Sequence, residues 1–143
     1  MIGIILFYEC SFGKQARLSF SDRYRHCNVI TFDGDVWLNV DMDSSGIHTR
    51  RLSVPSSNSL LRHLKLIPIV TDIIVVEIST PKIYQWSPWW VRSCNELVRY
   101  LTNIDIGFTF NPRHLYKKVL KYDGKSNYKI IDAWRRPDGN IRR

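Results

Sequence analysis

His26-Cys27-Asn28-Val29-Ile30-Thr31-Phe32, then Asp33-Gly34, then Asp35-Val36-Trp37-Leu38-Asn39-Val40-Asp41-Met42, forms two runs of β-prone residues around a two-residue turn signal. Asp-Gly accepts the positive φ angles of tight antiparallel connections, so the stretch predicts a hairpin. A type I′ turn sets Phe32 opposite Asp35, which places His26 opposite Asp41 with Asn39 on the diagonal. Side-chain alternation then puts His26, Asn28, Trp37, Asn39 and Asp41 on one face. Cys27, Val29, Val36, Leu38 and Val40 take the other. The second face is a plain apolar core. The first gathers a histidine, two amides, a carboxylate and a tryptophan, as either the solvent face of a hairpin or a functional cluster. A large aromatic in that group favours a face that is covered.

Outward from the hairpin, the N-terminal run Ile2 to Phe7 reads as a buried strand, and Ser11 to Asp22 carries no clear period. After the turn Ser44-Ser45-Gly46, Ile47 to Val54 returns as a strand. Pro55 to Asn58 leads into a short helix with Leu60, Leu61 and Leu64 on its apolar side, and His63 falls among basic neighbours on its surface. Thr71 to Ser79 is a strand so continuously apolar over Ile73 to Val76 that both its faces must be covered. Asn111-Pro112 starts a helix as N-cap and first-turn proline, with Leu115, Val119 and Leu120 inward, ended by Asp123-Gly124. Tyr128 to Trp134 is a last strand.

Ser93-Cys94-Asn95-Glu96 opens another helix, which ends before Gly107. Serine with glutamate three residues later is a capping box, so Cys94 is the first residue inside. Exposed N–H groups and the positive dipole end of a helix favour thiolate over thiol there. Ser87 before Pro88 offers an alternative start, which would move Cys94 into the second turn and weaken the dipole. Trp86, Trp89 and Trp90 wall the approach to the cysteine under either start. A histidine serving such a thiolate as base needs an acceptor that holds its second ring nitrogen, and Asn39 or Asp41 can supply it.

Length fits one domain with its own core. No run is long enough to span a membrane, since the most apolar stretch is bounded by Asp72 and Glu77. Ile2 to Tyr8 lacks a basic leader and is interrupted by Glu9. The cysteines Cys10, Cys27 and Cys94 are an odd set without C-x-x-C spacing, so neither a zinc site nor a disulfide framework is expected, nor any cofactor, and a reducing compartment is the simpler assumption. The net charge of +8 admits nucleic acid, an anionic membrane face or an acidic polymer as partner through a basic surface. The basic residues are nonetheless spread out, with knots only at His48 to Arg51, Lys117 to Lys121 and the C-terminal arginines, which favours a solvated surface.

Cys94 in its helix, the earlier His26 hairpin and Asn111-Pro112-Arg113-His114-Leu115-Tyr116 together resemble the circularly permuted papain-like superfamily, in particular the permuted NlpC-type cysteine hydrolases of bacteria and phage. In permuted members the histidine strand precedes the cysteine helix, as His26 precedes Cys94 here. The resemblance covers His26 to about Asp43 and Trp89 to about Tyr122. It implies an α+β fold with an antiparallel sheet packed against a cysteine-bearing helix and smaller helices, over residues 1–134, followed by a basic tail over 135–143. By the same resemblance Cys94 is the nucleophile, His26 the base, and Asn39 the orienting residue with Asp41 as alternate, while Trp37 shields the hydrogen bond. The small residues that many active members carry around the nucleophile are missing, and Gln85 is the best oxyanion side chain on offer. The implied activity is covalent acyl transfer on an amide or ester, with peptide or acyl substrates such as cell-wall peptides. The alternative is a phage structural or virion-assembly protein that keeps the fold and contacts neighbouring virion subunits or DNA. The implied location is the host cytoplasm, or the virion if the chain is phage-encoded.

Overall fold

A computed structural model describes residues 1–9, 24–32, 34–79 and 93–137. Six strands form one antiparallel sheet in the order β4-β3-β2-β1-β5-β6. These are β1 (Ile2–Tyr8), β2 (His26–Phe32), β3 (Trp37–Asp43), β4 (Gly46–Leu52), β5 (Val70–Ile78) and β6 (Tyr128–Arg135). Three helices accompany them among the described residues, α1 (Ser57–Lys65), α2 (Cys94–Thr102) and α3 (Pro112–Lys121). The fold is therefore α+β, with an antiparallel sheet and a cysteine-bearing helix packed on it. The helices are nearly equal in length, at 9, 9 and 10 residues, so the cysteine helix is not the largest. No described helix is long and apolar enough to cross a membrane.

The apolar runs β1 and β5 lie side by side in the middle of the sheet and are covered on both faces. On one face Ile5, Phe7, Val29, Val40 and Ile74 pack under α2 and α3 through Leu97, Val98, Leu115 and Val119. On the other, Ile4, Leu6, Ile30 and Ile73 pack under Leu60 and Leu64 of α1, four residues apart and hence on one side of that helix. Gly3 allows α2 to come close. A Cβ there would stand 3.2 Å from Val76 Cγ2 and 3.3 Å from Thr102 Cγ2.

The helix ends follow their caps. Ser93 is extended (φ −149°, ψ 156°) and its side chain accepts from the Glu96 N–H, so α2 begins at Cys94, as the capping box predicts. Asn103 closes α2 in the left-handed region at φ 50°. Asn111 caps α3 by accepting the His114 N–H at 2.8 Å, with Pro112 just inside. Asn111→Ala is expected to cost about 1 kcal/mol, read as a lower urea midpoint at unchanged slope.

Four features depart from the expected arrangement. The β2/β3 register pairs Phe32 with Trp37 rather than Asp35. A slip of two preserves every face assignment, which is why the alternation still holds. Trp37 stacks on Phe32 with ring centroids 4.7 Å apart, within the cluster under α1, and does not shield the His26 hydrogen bond. Arg135, read as the start of a tail, is the last residue of β6, where its Nε donates to Asp72 Oδ1 at 2.9 Å. Arg136 likewise binds Glu9 and the Pro68 carbonyl, and its N–H donates to the Thr71 carbonyl. Cys10, Gln85, Ser87 and the three tryptophans at 86, 89 and 90 lie outside the described residues.

Candidate functional site

His26 is the first residue of β2, at the end of the sheet, and its ring is almost wholly buried. From the sheet end the ring reaches both sides. Its Nε2 lies 2.6 Å from Asp41 Oδ1, on the same face of the sheet. The ring also hydrogen-bonds the Cys94 side chain at the start of α2, which packs on the other face over β2 and β3.

Asp41 is held for this task. The same Oδ1 accepts the Met42 N–H at 2.7 Å, and the side chain keeps about a third of its surface (33 %) open to solvent. Asn39 occupies the same face but makes a different bond. Its Oδ1 accepts from Asn28 Nδ2 at 2.9 Å, and Asn28 Oδ1 in turn accepts from Tyr8 OH at 3.0 Å. The Tyr8 ring flanks the imidazole at a centroid distance of 5.7 Å. Of the two acceptors open at the sequence level, Asp41 touches the ring, while Asn39 anchors a polar chain beside it. Asn95, next to the cysteine, ties α2 to the α2–α3 connection through Thr109.

One participant escaped the sequence reading. Cys27 belongs to the core face, as alternation predicts, yet its thiol and its backbone N–H both bond the Cys94 side chain. The signal was present only as alternation next to His26, and nothing in the sequence says which helix covers that face.

These contacts set the charge state. Cys94 is held well below its ordinary range, chiefly by the hydrogen bond from the Cys27 thiol, then by the His26 hydrogen bond and its positive charge, against the opposing effect of burial. Burial alone would depress His26, but the hydrogen bonds to Asp41 and Cys94 outweigh it and lift the imidazole to about 9. Burial pushes the Cys27 thiol up, so it stays protonated and can donate. The site therefore holds a thiolate and an imidazolium in contact at neutral pH.

The pair leaves a signature in stability. A raised histidine contributes fully below its unfolded value near 6.5 and loses that contribution as pH rises through about 9. A depressed thiol contributes fully above its unfolded value near 9.0 and loses it as pH falls through its lowered folded value. From about 6.5 to 9 the two slopes cancel, because folded and unfolded chains each hold one proton on the pair. Below 6.5 the unfolded chain alone gains a proton and stability falls. The stability difference between the wild type and a His26→Ala/Cys94→Ala double variant, followed by urea unfolding, is thus expected to be level across that window and to decline on acidification. A steady decline inside the window would instead mark a histidine titrating beside a neutral thiol.

On the Asp41 side the ring borders a cleft of about 300 Å³, lined by His26, Asn39, Asp41, Asp43, His48 and Arg50 among others. Cys94 is not among its lining residues and is only 7 % exposed. Across the cleft Asp43 is held well below the usual carboxylate range by the Ser45 hydroxyl and N–H and by His48. Among the described residues no group of three or more His, Cys, Asp or Glu side chains is arranged to hold a metal.

No protein-family model, curated protein or solved structure matches this chain.

Proposed function

We propose that this chain is a cysteine hydrolase of the circularly permuted papain-like, NlpC type, acting by covalent acyl transfer on an amide or ester. The observation that carries the reading is the imidazole of His26, bonded to Asp41 on one side and to the Cys94 side chain on the other. Thiolate Cys94 attacks the acyl carbonyl. The N–H of Cys94, at the first helical position and without an intrahelical acceptor, is placed to stabilise the resulting oxyanion. Imidazolium His26 gives its proton to the leaving amine or alcohol, then takes one from the water that releases the acyl group. Asp41 is a positioning residue, which fixes the ring and its tautomer. Acyl or peptide substrates, with cell-wall peptides among them, follow from the resemblance alone.

The test is mass analysis of acid-quenched protein after brief exposure to an activated ester or a peptide thioester. The reading expects one acyl group, on Cys94, absent from Cys94→Ala and lost on standing in water. A thiolate that alkylates readily but never carries an acyl group would instead support a non-catalytic, assembly role.

A further inference from the structure

Cys27 has no part in the acyl-transfer chemistry as a reacting atom, yet its thiol lies against the nucleophile. We propose that Cys94 is a reversible oxidation site and that Cys27 is its resolving thiol, so that peroxide converts the pair to an intramolecular Cys27–Cys94 disulfide. The inference goes beyond hydrolysis and does not require it.

Three observations carry it. The Cys27 thiol hydrogen-bonds the Cys94 side chain, which makes the two sulfurs neighbours where α2 packs on β2. Both belong to one packed cluster, with Cys27 fully buried on β2 and Cys94 at the head of the helix seated on that strand. Cys94 retains slight exposure while Cys27 has none, so a small oxidant meets Cys94 first. The roles follow from this asymmetry, since the less buried thiolate reacts and the fully buried thiol resolves.

The oxidant is a hydroperoxide, with hydrogen peroxide as the simplest case. The Cys94 sulfur supplies an electron pair to one peroxide oxygen, the S–O bond forms, the O–O bond breaks, and the departing hydroxide takes a proton from His26 to leave as water. Sulfur is oxidised to the sulfenic acid and peroxide is reduced. The Cys27 sulfur then attacks the Cys94 sulfur, the S–S bond forms, and the S–O bond breaks. The hydroxyl leaves as a second water with the Cys27 proton. The nucleophile is thereby blocked in a form that a dithiol restores, in place of the irreversible sulfinic acid.

The test exposes the full chain to a slight excess of hydrogen peroxide, followed by alkylation and peptide mapping with and without dithiothreitol. The wild type is expected to show a Cys27–Cys94 cross-link that dithiothreitol removes. Cys27→Ser, confirmed as folded by circular dichroism, is expected to accumulate Cys94 sulfinic acid about tenfold faster. Mapping of the wild type alone is decisive if that variant does not fold. Sulfinic acid on wild-type Cys94 without a cross-link, or a link from Cys94 to Cys10 instead, overturns the proposal.

Discussion

His26→Ala is expected to slow alkylation of Cys94 by iodoacetamide at mildly acidic pH by about two orders of magnitude, the scale on which a positioned base contributes. The variant removes the hydrogen bond and the positive charge that hold the thiolate, leaving burial to oppose ionisation with only Cys27 against it. Peptide mapping separates the three cysteines. Cys27 is expected to stay unlabelled in the folded protein, because it is fully buried and its thiol is pushed up. The His26→Gln variant preserves ring-like volume and polarity, and is expected to lose reactivity nearly as far, which distinguishes lost charge from lost packing. Equal labelling of Cys94 in wild type and His26→Ala would remove the pair from the account.

Phe7→Ala is expected to cost about 3 to 5 kcal/mol of folding stability, a large share of what a domain of this size has. Phe7 is fully buried on the central strand and meets two aromatic rings edge-on, Tyr24 at 5.8 Å and Tyr116 at 5.2 Å. Those two rings stack on each other at 4.8 Å, and Arg135 donates to Tyr116 OH at 2.5 Å. Truncation therefore leaves a cavity beneath a stacked pair that links β1, α3 and the end of β6. Urea unfolding checks this, with Leu120→Ala as the comparison, expected to stay within about 0.5 kcal/mol because Leu120, expected inward from its spacing, lies on the exposed side of α3. A cost for Phe7→Ala as small as that of Leu120→Ala would mean that the two tyrosines do not frame a closed core.

The period-2 pattern from His26 to Met42 was enough to sort the hairpin into its two faces, because burial imposes that alternation whatever the exact turn. It was not enough to set the register, since pairing Phe32 with Asp35 or with Trp37 satisfies the same pattern. The acceptor for His26 was ambiguous for a related reason. Asn39 and Asp41 share a face, and the choice falls to Asp41 because Asn28 takes Asn39. The capping box placed Cys94 correctly at the first position of α2, since a cap is local chemistry that three or four residues decide. Cys27 was illegible as anything but a small core residue. Its role comes from α2 packing across β2, a contact between segments far apart in sequence. The same holds for Arg135 and Arg136, whose charge read as tail while their partners Asp72 and Thr71 lie in the middle of the chain and Glu9 near its other end.

The chemistry proposed for Cys94 depends on a thiolate and an imidazolium in contact at neutral pH. It is tested most directly by acid titration of the ultraviolet thiolate absorbance, taken as the difference between the wild type and Cys94→Ala. One full thiolate is expected at neutral pH, persisting well into the acidic range. Absorbance that develops only as pH approaches 9, the ordinary value for a free thiol, would contradict it.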